Sequence, residues 1–194
     1  MSMKLKIVIG STRPGRVGPT VADWVTKAAK DHAGFDVELV DLDSFNLPLL
    51  DEPNHPAMQD YQHDHTKAWS AAMADADAYI FVTPEYDYFP PAALVNALQA
   101  LSVEWRHKVA GVVSYGGISG GTRAAQELRS LISTGNMMPL PQVVPAPMVW
   151  NFIEDGTLKP NDEMSKGLTG LLDELQKWAG ALKPLRSEDV AAAA

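Results

Sequence analysis

The chain of 194 residues contains no cysteine, which excludes disulfides, thiolate metal sites, iron–sulfur clusters and cysteine nucleophiles together. A reducing compartment fits that composition, and a cytoplasmic location is the expectation. Long apolar runs are also lacking. No window reaches the roughly twenty residues that a membrane-spanning helix needs, so no membrane partner is expected. The run Ile7-Val8-Ile9 leads straight into Gly10-Ser11-Thr12-Arg13; it is too short for a signal-peptide core and reads as a strand. Positive charge is scarce: 16 Lys and Arg against 24 Asp and Glu leave a net charge of −8. Binding to nucleic acid draws on clustered basic side chains, so that partner is not expected either. The exception is local. Lys4, Lys6, Arg13 and Arg16 stand near the N-terminus with no acidic side chain among them, a place where a small anion can dock.

What is present is a globular composition, 46% apolar and 21% charged, with enough length for one sizeable core. One domain over residues 1–185 is expected, followed by a flexible tail over 186–194 that ends in alanines. Residues 4–9 read as a buried strand, followed by a Gly/Pro-punctuated turn and a helix carried by Val21, Trp24, Val25 and Ala28. Residues 35–40 alternate apolar and acidic, as a strand with one less-buried face does, and residues 41–56 form a loop with Pro48, Pro53 and Pro56. A helix around 69–73 feeds Ala78-Tyr79-Ile80-Phe81-Val82-Thr83, an apolar run suited to a central strand covered on both faces. A helix over 91–102, a strand over 109–114, a helix over 122–133, a short strand at Gln142-Val143-Val144 and a helix over 164–182 complete the alternation. That pattern predicts a doubly wound α/β fold with a parallel sheet and right-handed crossovers.

In such a sheet, ligands bind beyond the carboxyl ends of the strands, which singles out the loops after the first, third and fourth strands. The first, residues 10–18, offers hydroxyls, two guanidinium groups and glycines just before a helix, a setting for phosphate. It is no nucleotide-triphosphate P-loop, because Arg16-Val17 stands where Lys-Ser/Thr is needed. Taken singly, Ser11 and Thr12 read as helix caps and the glycines as a turn. The second loop, Thr83-Pro84-Glu85-Tyr86-Asp87-Tyr88-Phe89-Pro90-Pro91, supplies aromatic rings and stiffening prolines for a planar ligand; Phe89 alone reads equally well as cover for a sheet edge. The third, Ser114-Tyr115-Gly116-Gly117-Ile118-Ser119-Gly120-Gly121, lets backbone N–H groups approach a ligand but lacks G-x-G-x-x-G spacing. His63-Asp64-His65 with His55 reads as solvated rather than as a metal site, and no serine sits in a G-x-S-x-G elbow.

Gly-Ser-Thr-Arg, Thr-Pro-Glu-Tyr-Asp-Tyr and Ser-Tyr-Gly-Gly, each after its strand and in this order over roughly residues 4–144, resemble the NADPH-dependent FMN reductase family. The resemblance implies a flavodoxin-like fold with five parallel strands in the order 2-1-3-4-5, and FMN as cofactor with NADPH or NADH as donor. It implies a small-molecule acceptor such as a quinone or free flavin, and a homodimer or homotetramer. By the same resemblance Ser11 and Arg13 hold the FMN phosphate, Pro84, Glu85, Tyr86, Asp87 and Tyr88 frame the flavin, and Tyr115, Gly116 and Gly117 close its other edge, with Val17, Gly18 and Ser114 as further cofactor-binding residues. No catalytic acid or base and no metal is implied, since the cofactor carries the redox chemistry. A flavin-binding electron carrier or regulatory module is the alternative; NADPH consumption separates the two. Three positions depart from the family's pattern: Gly18 replaces a serine, Asp87 an asparagine and Phe89 a small residue. Asp87 adds negative charge near a phosphorylated ligand, Phe89 narrows the site, and Thr20 is the nearest substitute for the missing hydroxyl.

Overall fold

A computed structural model describes residues 2–192, with side chains described through Arg186. The central sheet is parallel and five-stranded, in the order β2-β1-β3-β4-β5, as the resemblance implied. Its strands are β1 (Met3–Ile9), β2 (Phe35–Asp41), β3 (Ala78–Pro84), β4 (Val109–Tyr115) and β5 (Met138–Ala146). Every residue of β3 and β4 is buried. This is why those segments carry unbroken apolar runs, whereas β2, an edge strand, alternates.

The helices divide between the two faces. The amphipathic helices α1 (Gly18–Asp31) and α5 (Asp162–Ala192) cover one, where Val21 and Val25 meet Leu168, Leu171 and Leu175 over Leu5, Ile80 and Val113. The other carries α2 (Asp64–Ala74), α3 (Ala92–Gln99) and α4 (Thr122–Thr134), where Trp69, Trp105, Leu94, Leu128 and Ile132 pack on Val8, Tyr79 and Phe81. The buried indole N–H groups of Trp69 and Trp105 donate to the Ala97 and Leu98 carbonyls, so neither ring leaves a donor unpaired. Among the described residues no helix is long and apolar enough to cross a membrane.

Three elements differ from the sequence reading. The last strand is longer than Gln142-Val143-Val144 and takes in Pro139, Pro141 and Pro145; an edge strand tolerates prolines because one side needs no ladder hydrogen bond. An antiparallel hairpin, β6 (Ile153–Glu154) with β7 (Thr157–Leu158), was not anticipated. It turns at Asp155 and Gly156, both with positive φ, the pairing that tight hairpins favour. Finally, α5 continues past Leu182 to Ala192 through Pro184. The tail expected over 186–194 falls largely where only backbone, or nothing, is described, with Ala193 and Ala194 outside the described residues.

Candidate functional site

The loops after β1, β3 and β4 meet at the carboxyl end of the sheet, because these three strands are neighbours in it. Of the four cations near the N-terminus, only one is left for an anion. Lys4 and Lys6 both pair with Asp75, at 2.5 and 2.7 Å, and Lys6 also with Glu38. The Arg16 guanidinium makes two bonds of 2.6 Å to Asp41 at the end of β2 and donates to the Ser11 carbonyl, so it straps the loop to the edge strand. Its hydrogen bonds to Asp41 raise the pKa of Arg16, and the side chain stays charged. Arg13 has no acidic partner among the described residues, and its guanidinium lies 5.6 Å from the centre of the Tyr86 ring. Beside it, α1 starts at Gly18 with Pro19 in its first turn and no side-chain cap on its N–H groups. A guanidinium without a carboxylate partner and an uncapped helix N-terminus are the kinds of donor that an anion attracts.

The loop after β3 closes on itself. Tyr86 and Phe89 exchange backbone hydrogen bonds of 2.9 and 3.0 Å around Asp87 and Tyr88, whose φ values are +47° and +79°. Such a turn needs left-handed residues, and Asp, like Asn, accepts that conformation more readily than most. The family difference at Asp87 therefore preserves the backbone shape. Phe89 does not point between the loops; it is exposed and lines a shallow groove with Pro90, Val95 and Leu131.

Glu85 ties this loop to the one after β4. Its carboxylate accepts from Arg123 Nε at 2.7 Å, from Ser119 Oγ at 3.0 Å and from the Arg123 backbone N–H at 3.1 Å, while Arg123 stacks 3.9 Å over the Tyr88 ring. Burial works to raise the Glu85 pKa, but these hydrogen bonds outweigh it and hold the carboxyl below its usual value. A group with a depressed folded pKa contributes stability above its unfolded pKa and loses that contribution as pH falls through the folded one. Glu85→Gln is therefore expected to cost about 1–3 kcal/mol at neutral pH. That difference should shrink as pH drops below about 4, which urea titrations of both proteins at several pH values will show.

The loop after β4 is held from inside. Ser114 Oγ donates to the Gly120 carbonyl at 2.9 Å, and the Gly116 and Gly117 carbonyls accept from Val149 and Met148. Gly116 and Gly117 are half-buried, and a Cβ there would make ordinary contacts, with Gly121 N at 3.6 Å and with Trp150 at 3.9 Å. The rim around them is apolar, with Ile118, Met148 and Trp150 exposed. Ser114 and Tyr115 lie within β4 and are buried; Val17 is the N-cap residue of α1. Two contributors escaped the sequence reading: Trp150, next to Gly117, and Arg123. Nothing in spacing connects either to its loop. Thr20 lines a separate groove between α1 and the β6–β7 hairpin. His63 and His65 stack and flank Asp51, while His55 caps a short turn elsewhere through Ala57.

The comparisons with known proteins agree with this arrangement. Residues 3–151 match the family described as NADPH-dependent FMN reductase. An NAD(P)H-dependent FMN reductase of Schizosaccharomyces pombe is 38% identical over 94% of this chain and 90% of its own. A quinone reductase of Escherichia coli K12 is 30% identical over 68% of this chain and 71% of its own. The structure of FerB, a flavoenzyme NAD(P)H:(acceptor) oxidoreductase from Paracoccus denitrificans, superposes with a TM-score of 0.68 at 19% identity, covering 92% of this chain and 98% of that one; at that identity it speaks for the flavodoxin-like fold. A doubly wound parallel sheet whose carboxyl-end loops after β1, β3 and β4 meet, in a sequence matched over most of its length, makes this chain a member of the NADPH-dependent FMN reductase family.

Proposed function

We propose that the protein is an FMN-dependent oxidoreductase that takes electrons from NADPH or NADH and passes them to a small acceptor such as a quinone or free flavin. The observation that carries this reading is Arg13, with no carboxylate partner, beside the uncapped start of α1, at the same carboxyl end of the sheet as the Gly116–Gly117 loop. The residues fit FMN at both ends. The phosphate end has a hydroxyl, a guanidinium and helix N–H donors with no carboxylate in the loop; the flat end has aromatic side chains and two half-buried glycines, Gly116 and Gly117. When bound, FMN supplies the redox chemistry, accepting hydride from a reduced nicotinamide and releasing electrons to the acceptor. Ser11, Arg13, Val17 and Gly18 hold the phosphate. Pro84, Tyr86, Asp87 and Tyr88 shape one wall, Glu85 fixes that wall to Arg123, and Ser114, Tyr115, Gly116 and Gly117 form the other side. No side chain of the chain has to exchange a proton for this reaction.

The domain spans residues 1–185 and works in the cytoplasm. Two or four copies assemble through the exposed Ile118, Met148 and Trp150, a clustering more typical of interfaces than of free surface. Steady-state turnover tests the function: purified protein with FMN is expected to oxidise NADPH when a quinone is added. An FMN-loaded protein that consumes neither NADPH nor NADH with quinone or free flavin contradicts the enzyme reading and supports an electron carrier.

A further inference from the structure

A groove of about 460 Å³ runs between α1 and the β6–β7 hairpin, outside the three loops described above. Its α1 wall is Thr20, Asp23, Trp24, Lys27, Ala28 and Asp31, spaced as one face of a helix. The face that α1 buries is a different one, with Val21, Ala22, Val25 and Ala29. The opposite wall is the second half of the hairpin, residues 156–160. That wall is fixed, because Leu158 is buried in the core and the Lys159 N–H donates to the Phe152 carbonyl at 2.7 Å. The groove is therefore preformed, and its volume is that of a small-molecule site. Trp24 is half-buried and gives it an aromatic surface on which a base can stack. Lys27 and Lys159 bring cations for a phosphate, and Asp23 and Asp31 bring acceptors for amino and hydroxyl groups. All four are exposed, and none pairs with another charged side chain among the described residues. Position narrows the choice of nucleotide. Thr20 stands in the first turn of α1, just after Gly18, so the groove starts beside the helix N-terminus. From Thr20 to Asp31 it follows α1 for roughly 16 Å, at 1.5 Å per residue.

We propose that this groove is an adenylate subsite and that the protein takes FAD as well as FMN: the second phosphate and the adenosine of FAD follow α1 into the groove, where the adenine stacks on Trp24. The inference rests on the reading that the loop after β1 takes the flavin phosphate. FMN ends at that phosphate and leaves the groove empty, so FAD gains contacts that FMN lacks. Trp24, Lys27 and Lys159 then decide which flavin is held, at a distance from the ring that is reduced.

The test is calorimetric titration of the full-length protein with FMN and with FAD. The native protein is expected to bind FAD about 10-fold more tightly than FMN. Trp24→Ala is expected to weaken FAD binding about 10-fold, the scale of one base–aromatic stack, and to leave FMN binding unchanged. Lys27→Gln combined with Lys159→Gln is expected to weaken FAD binding selectively as well, by an amount that shrinks as salt is raised. FAD that binds no more tightly than FMN overturns the proposal, as does a Trp24→Ala loss that is equal for the two flavins or absent for FAD. If Trp24→Ala fails to fold, by its thermal melt, the lysine pair decides, since both side chains are exposed: an FAD-selective loss upholds the proposal and its absence overturns it. A native protein that binds FMN but not FAD overturns this inference and leaves the proposed function standing. One that binds neither flavin overturns both.

Discussion

Replacing Arg13 by alanine is expected to lower FMN affinity by roughly 100-fold while leaving the fold in place. The guanidinium is exposed and engages only the face of Tyr86, a contact worth about 0.5–1 kcal/mol at such a site. Against phosphate it can make two charge-assisted bonds in its planar fork, each stronger than a neutral one, and their loss amounts to about 3 kcal/mol of binding. Lysine recovers the charge but not the fork, so Arg13→Lys should recover only part of the affinity. Arg16→Ala gives the opposite pattern. It removes the strap between the Ser11 carbonyl and Asp41, so the protein loses stability first and FMN affinity only through the loosened loop. Equilibrium titration with FMN alongside urea unfolding separates these outcomes.

The second large effect falls on stability. Gly121→Ala is expected to destabilise the protein by about 3–5 kcal/mol, in the range reserved for severe backbone conflict. Gly121 is the N-cap residue of α4, with φ at +80°, which costs an alanine about 1–2 kcal/mol by itself. The new Cβ would also lie 2.8 Å from both the N and O atoms of Tyr115 and 2.9 Å from Ser114 Cβ. Those atoms belong to a fully buried strand and cannot swing aside. Gly117→Ala is the contrasting case. Its Cβ meets nothing nearer than Trp150 at 3.9 Å, so stability should stay within about 1 kcal/mol of native, and any effect should appear in flavin affinity. A fall in the urea midpoint at constant m-value for the first variant, absent for the second, is the expected result.

Most of the fold was legible because its central strands are buried on both faces and advertise it with continuous apolar runs. The edges were harder. The prolines of β5 look like loop residues until the strand is known to have an unpaired side. The β6–β7 hairpin is so short that Asp155-Gly156 is its only signal. In the site, the three loops could be found from strand order, but the tasks of their residues could not. Arg13 and Arg16 look alike in sequence. What separates them is Asp41, brought in by β2, which binds one and leaves the other free. Glu85 reads as a flavin-lining residue, and its bracing by Arg123 from another helix is not announced in the sequence. Gly18 reads as a lost hydroxyl, and only the fold shows that a Cβ there would crowd Ser11 Oγ at 2.5 Å. Each of these depends on a tertiary partner that no local pattern announces.

The central claim, a flavin site reduced by a nicotinamide nucleotide, is tested most directly by the absorbance spectrum of the protein loaded with FMN, freed of excess flavin and mixed anaerobically with NADPH. The account predicts flavin bands that survive removal of free FMN, bleach on addition of NADPH and return when a quinone is admitted. Bands that persist unbleached with both NADPH and NADH would contradict the reductase, and a colourless protein would contradict the flavin site itself.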